Sequence, residues 1–184
     1  MKKAYKTMTD EELYRAMADD NAYGRHCFDE IYLRHSSKVY TYCKKVLGDS
    51  DLADDLFQET FIKFFNSSKS GREMTNVGAF IFKIARNLCL NEKQRKHHTF
   101  VPLDELNMPY YDDLSDSKER EQFLQTALDA LPRKYREMLI LKEYLGLTYN
   151  EIADMLETTM ATVRIRIYRA KTKLRELLVP YLEQ

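Results

Sequence analysis

Residues 147–178, LTYNEIADMLETTMATVRIRIYRAKTKLRELL, carry two helical patterns separated by a turn, and their reading decides the fold. Thr148 followed by Glu151 is a capping box that starts the first helix, and LETT (156–159) ends it. At about 100° per residue, Val163, Ile167, Ala170, Leu174 and Leu177 of the second helix share one narrow sector, the stripe that packs on preceding helices. Ala161, Ile165, Tyr168 and Thr172 lie on the opposite side. Arg164, Lys171 and Arg175 border them on one edge, and Arg166, Arg169 and Lys173 on the other. A helix that meets only water seldom carries Ile and Tyr between six cations. A helix in a major groove needs rims that seek phosphate and a centre that touches base edges.

Five Gly and four Pro in 184 residues, with almost no alternating polarity, leave little support for strands, so the chain is expected to be all-α. The length fits one large or two small domains. Lys+Arg and Asp+Glu both number 29, which argues against a protein held to nucleic acid by bulk charge. The charges are segregated instead. Residues 164–175 hold six basic side chains and no acid, whereas 49–59 hold five acids and no base, so different surfaces suit different partners. Cys27, Cys43 and Cys89 are odd in number and widely spaced, and read as small core residues of a protein in a reducing cytosol. The basic start, MKKAYKTMTDEELYRAM, lacks an apolar run, so neither a signal peptide nor membrane insertion is expected.

Working outward, Thr9 with Glu12 caps a first short helix, and DDNAYG offers a turn. Phe28, Ile31/Tyr32, His35, Val39, Tyr42/Cys43 and Val46 mark a long helix that stops at Gly48, with His35 as a packed boundary residue rather than a ligand. The next helix, Asp51–Phe65, is expected to bury Ala53, Phe57, Thr60 and Phe64. Its other face sets Asp51, Asp54, Asp55, Gln58 and Glu59 around the apolar pair Ile62 and Phe65. This face fits a solvated helix with its last turn under a loop, and fits better a protein-binding surface with an apolar centre and polar rim. After the loop NSSKSGREMTN, a helix from Val77 is expected to bury Val77, Ile81, Ile84, Ala85 and Leu88. Lys83, Arg86, Asn87, Lys93, Gln94 and His97 gather opposite, with Phe80 and Phe82 at the margins. Such a face serves equally a solvated helix or single-stranded nucleic acid, where cations follow the backbone and rings stack on bases. Residues 99–116 contain two prolines and five acids and read as a flexible acidic linker. Beyond it, Phe123, Leu124, Ala127, Leu128 and Leu131 form a helical stripe, Pro132 opens another helix and Gly146 ends it.

Four blocks together resemble the sigma-70 family, specifically the small extracytoplasmic-function (ECF) sigma factors of bacterial RNA polymerase. They are FDEIYLRHSSKVYTYCKKVLGDSDLADDLFQETFIKFF (28–65), GAFIFKIARNLCLNEKQRKHH (78–98), ALPRKYREMLILKEYLGLTYNEIA (130–153) and TVRIRIYRAKTKLREL (162–177). The resemblance implies two small helical domains: a region 2 helical bundle over 1–98 and a region 4 helix-turn-helix over 118–184, joined by a linker over 99–117. It implies docking on the polymerase β′ clamp coiled coil through Asp51, Asp54, Asp55, Gln58, Glu59 and Ile62, with region 4 on the β flap. It further implies that Ser67–His98 hold open the −10 element through Phe80, Lys83, Arg86, Asn87, Lys93 and Arg95, taking in a flipped base. The −35 duplex would be read by Thr159, Ala161, Thr162, Arg164, Ile165, Tyr168 and Arg169, while Arg166 and Lys171 reach phosphates.

At two positions the chain departs from many members. Ile165 stands where serine is common, offering a thymine methyl contact in place of a hydrogen bond, and Phe80 stands near a position often held by tryptophan. The resemblance also implies a cytoplasmic, non-enzymatic specificity subunit with no cofactor or metal, regulated by an anti-sigma factor. Two other functions compete with it. A stand-alone helix-turn-helix regulator explains only the C-terminal domain, and a protein-binding adaptor leaves the basic border of Ile165 and Tyr168 without a purpose.

Overall fold

The computed structural model describes residues 4–19, 21–70, 73–96 and 117–182, and among these every regular element is helical. The expected linker at 99–116 and the His97–His98 end of the basic helix lie outside the described residues. The chain divides into two compact units, Met1–Gln94 and Arg95–Gln184.

In the first unit a short 3-10 turn (Ala4–Thr7) precedes α1 (Asp10–Ala16), α2 (Ala22–Leu47), α3 (Ser50–Ser68) and α4 (Val77–Lys96). Local chemistry sets the ends. Thr9 and Glu12 form the reciprocal capping box of α1, the Asn21 side chain caps α2 and the Asp49 side chain caps α3. Gly48 closes α2 at φ +73°, a left-handed conformation that glycine adopts without a Cβ penalty. Gly24 serves a different need, because a Cβ there would drive into the Asp19 carbonyl where α1 hands over to α2.

The core joins Leu13 and Tyr14 of α1, and Met17 at its C-terminal cap, to Cys27, Ile31, Val39, Tyr42 and Cys43 of α2, with Phe61 and Phe64 of α3 and Ile81, Phe82 and Ala85 of α4. Three details differ from the sequence expectation. On α3, Leu56 and Phe61 are buried, whereas Phe57 is only partly covered, in a cluster of rings with Tyr32, Tyr40 and Phe61. Phe65 likewise is half-buried, edge-on to Phe28 at 5.2 Å and beneath Lys69. On α4 the buried stripe is turned by roughly 60° from the expected one. Phe82, Cys89 and Leu90 are inside, while Ile84 and Leu88 are half-exposed. The cause is area: the Phe82 ring packs edge-on against Tyr42 and buries more apolar surface than either aliphatic residue would. The three cysteines are free and buried, as a core role requires.

His35 is indeed a boundary residue. Its Nε2 lies 2.6 Å from Asp10 Oδ2, and Arg34 reaches Asp10 Oδ1 at 2.8 Å, Glu30 at 3.0 Å and the Met8 and Lys6 carbonyls. These contacts tie the chain start to α2. The His35 hydrogen bond, helped by that of Arg34, holds the Asp10 carboxyl below its ordinary value against the opposing effect of burial. Its contribution is therefore complete above the ordinary carboxylate range and fades as pH falls through the lowered value.

The second unit contains α5 (Ser117–Ala130), α6 (Arg133–Leu139), a π-helical turn (Ile140–Tyr144), α7 (Tyr149–Met155) and α8 (Met160–Leu182). Sequence periodicity runs 133–146 together as one helix. In the structure Leu145 N–H reaches back to the Ile140 carbonyl at 3.1 Å, one residue further than an α-helix allows, and Gly146 at φ +66° ends the element. Its core is Phe123, Ala127 and Leu128 with Met138, Leu139, Ile140, Leu141, Ile152, Val163, Ile167 and Ala170, whereas Leu124 is exposed. Arg136 fastens α5 to α6. Its guanidinium donates to the carbonyls of Leu128 at 2.7 Å, of Asp129 and of Leu131, and pairs with the Asp129 carboxylate at 3.0 Å. They lie at and just past the end of α5, where backbone acceptors outnumber intrahelical donors, and the Leu128 carbonyl accepts from the Leu131 N–H as well.

Both fastenings can be tested by unfolding. Arg136→Met is expected to cost the second unit about 2–3 kcal/mol, because it removes the charged donor shared by these carbonyls and the partner of the Asp129 carboxylate; urea unfolding of the purified variant measures it. Asp10→Asn is expected to cost about 1–2 kcal/mol at pH 7, with the gap between parent and variant narrowing as pH falls below the ordinary carboxylate range and the parental carboxyl takes up its proton. A gap that stays constant as pH falls below the ordinary carboxylate range would contradict the role given to the Asp10 carboxylate.

Candidate nucleic-acid and protein interfaces

Three surfaces concentrate the residues that the sequence singles out. The first is the outer face of α3. Asp51, Asp54, Asp55 and Gln58 are exposed, and Ile62 is 60% exposed in their midst. Glu59 is half-buried and pairs with Lys63 at 2.9 Å. Asp54 accepts a hydrogen bond from the Tyr40 phenol, which pushes that phenol's pKa up and ties one acid of the face to α2. The apolar centre is thus Ile62, with Phe65 withdrawn against Phe28.

The second surface is α4. Because its stripe is turned, Lys83 and Asn87 sit exposed beside half-buried Phe80, whose ring lies 6.4 Å from that of Phe64. Arg86 and Lys93 move towards the flank and are half-buried, and Arg95 is exposed near the helix end. The six residues therefore do not form one flat face. Lys83, Asn87 and Phe80 make its centre, and the cations Arg86 and Lys93 make one side.

The third surface is α8. Val163 and Ala170 are fully buried and Ile167 nearly so, which leaves Ile165 at 52% and Tyr168 at 73% exposure. Ala161, Arg164, Arg166, Arg169 and Lys171 are exposed around them, as the angular reading requires. Thr159 and Thr162 bond to each other at the head of the helix. Thr159 Oγ1 accepts the Thr162 N–H at 3.2 Å, and their hydroxyls meet at 2.9 Å. They cap the start of α8, where its amide groups and positive dipole end point outward.

Two further residues act on this surface, and sequence reasoning missed both. Glu143 pairs with Lys171 at 2.8 Å, and the pair holds the lysine's pKa above its usual value. The Tyr149 ring lies beneath the Arg164 guanidinium at 5.5 Å. Glu143 is aimed by the π-helical turn, which no periodicity signals. The turn between α7 and α8 also passes through Glu157 at φ +50°, which only glycine in the sequence would have announced.

These surfaces lie on a chain whose similarity to known proteins is extensive. Residues 31–99 match the model of sigma-70 region 2, and residues 123–174 match that of sigma-70 region 4. The chain is 31% identical over 156 residues to the ECF RNA polymerase sigma factor SigE of Mycolicibacterium smegmatis, covering 80% of this chain and 60% of that protein. It is 31% identical over 137 residues to the ECF RNA polymerase sigma factor EcfG of Rhodopseudomonas palustris, covering 71% and 74%. The fold is similar to that of CnrH in its complex with the cytosolic domain of CnrY, with a TM-score of 0.69 at 21% identity over 93% of this chain and 97% of that one. It is similar also to the sigma factor RpoE of Bartonella quintana in complex with the anti-sigma factor NepR, with a TM-score of 0.64 at 23% identity over 82% and 96%. The class is therefore an all-helical transcription factor built from sigma regions 2 and 4. This chain belongs to the ECF group of the sigma-70 family, whose members are specificity subunits and not themselves enzymes. No helix among the described residues is long and apolar enough to cross a membrane.

Proposed function

We propose that this protein joins core RNA polymerase in the cytoplasm, recognises promoters through paired −10 and −35 elements, and helps to open the −10 duplex. Region 2 is assigned to 1–98, the linker to 99–117 and region 4 to 118–184. The observation that carries the reading is α8, which exposes Ile165 and Tyr168 between arginines while burying its opposite side. Arg164, Ile165, Tyr168 and Arg169 read −35 base edges, and Arg166 and Lys171 serve its phosphates. On α4, Lys83, Arg86, Lys93 and Arg95 follow the −10 strand, while Phe80 and Asn87 meet its unstacked bases.

The acidic face of α3, centred on Ile62, docks on the β′ clamp coiled coil, and region 4 rests on the β flap. Its acids steer the chain to a basic partner, and the apolar centre supplies the area that stays buried. The equal numbers of acids and bases support a division of labour in which the isolated chain binds DNA weakly and polymerase supplies the rest. Regulation by an anti-sigma factor accords with the partner held by the similar sigma factor RpoE.

Asp55→Ala combined with Gln58→Ala is expected to abolish retention by core polymerase in a pull-down while leaving the thermal midpoint within a few degrees of the parent. Undiminished retention would move the docking surface elsewhere. Arg164→Ala with Arg169→Ala is expected to remove about 1–3 kcal/mol of −35 discrimination per arginine, read as run-off transcripts from promoter variants. Unchanged promoter-directed transcription would refute the −35 assignment. A parent chain that binds operators but is never retained by polymerase would instead be a stand-alone regulator.

A further inference from the structure

An exposed arginine samples many rotamers and loses that freedom when it docks, so a group that holds it beforehand raises its selectivity. Arg164 has such a group. Its guanidinium carbon lies 5.5 Å from the centre of the Tyr149 ring, within the range of a cation–π contact. Tyr149 is itself well anchored. It is the first residue of α7, so the Thr148–Glu151 capping box that fixes the start of this helix also fixes the base of the ring. The ring is half-buried, and a second cation, Lys142, lies 5.0 Å from its centre while donating to the Leu147 carbonyl at 3.1 Å. Lys171, on the same edge of α8 as Arg164, is held in turn by Glu143 at 2.8 Å. One edge of the recognition helix is thus fastened at two points to the scaffold that precedes it.

We propose that Tyr149 is a positioning residue for promoter readout. Its ring holds Arg164 in the orientation from which the guanidinium meets a −35 base edge, and so sets base preference at the position Arg164 reads. The proposal rests on the assignment of Arg164 to the −35 duplex. The face of the ring carries the effect, so phenylalanine suffices at this position and the phenol hydroxyl is dispensable.

The test uses holoenzyme reconstituted from core polymerase and full-length variants, with run-off transcription on templates that differ at single −35 base pairs. Arg164→Ala identifies the base pair whose preference depends on Arg164. Tyr149→Phe is expected to keep that preference within about twofold, whereas Tyr149→Leu reduces it by roughly tenfold at the same base pair and leaves the others unchanged. Tyr149→Leu added to Arg164→Ala produces no further loss of preference. Preference is a ratio between templates, so a smaller folded fraction cancels. Tyr149→Gln, which also lacks a ring but keeps helix propensity, replaces the leucine variant if that fails to fold.

The proposal is overturned if the ringless variants retain the preference, weaken all templates equally, or add to the loss caused by Arg164→Ala. If Arg164→Ala flattens no position, the −35 assignment fails and the proposal falls with it. That result is distinct from a failure confined to the Tyr149 variants.

Discussion

The rotational setting of α8 is the constraint on which the proposed promoter-reading surface depends. Burial of Val163, Ile167 and Ala170 favours one orientation, each of the two larger side chains contributing about 1.5–3 kcal/mol when fully covered. The cations forbid the alternatives. Turning α8 to cover Ile165 and Tyr168 would carry Arg164, Arg166 or Arg169 towards the interior, where an unpaired charge costs more than either apolar residue returns. The exposed strip is therefore held outward as much by the arginines beside it as by the stripe behind it. Tyr149 and Glu143 hold Arg164 and Lys171 on one edge, so under the proposed function both the helix and its side chains are set before DNA arrives.

Charge is arranged with comparable economy in the other unit. Five acids and no base between residues 49 and 59 give α3 a face opposite in character to α8, and the totals cancel over the chain. A protein without net charge has little long-range attraction for the DNA polyanion, which leaves short-range contacts to decide where it acts. This suits a specificity subunit that should engage promoters once docked and ignore other DNA when free. The aromatic cluster of Tyr32, Tyr40, Phe57 and Phe61 behind the acidic face gives it a stiff backing, since packed rings leave few alternative rotamers.

Much of this was legible in the residues because it depends on local rules. Both capping boxes, the Gly48 stop, the exposed strip of α8 and its buried stripe from Val163 to Ala170 follow from spacing and propensity alone, whereas Leu174 and Leu177, expected in the same stripe, are only half-buried. What escaped depends on contacts between elements. Periodicity places Ile84 and Leu88 inside α4, but the choice among competing apolar sectors belongs to Tyr42, whose ring draws in Phe82. The π-helical turn at Ile140–Tyr144 leaves no mark in hydrophobic spacing, so neither the Glu143–Lys171 pair nor the aim of Lys142 could be foreseen. Arg136 reads as an ordinary surface base until the carbonyls at the end of α5 are seen converging on it. The candidate site was legible where one helix supplies both its core and its outer face, and least legible where a second element decides the rotation or the rotamer.

The central claim is that two separate surfaces read one promoter and do so only with polymerase. Run-off transcription by the reconstituted holoenzyme on a promoter library randomised across both elements tests it most directly. The account predicts transcripts enriched for two motifs at fixed spacing, with the upstream motif lost when Arg164 and Arg169 are replaced. Enrichment of a single motif, or selection of the same sequences by the chain without polymerase, would contradict it.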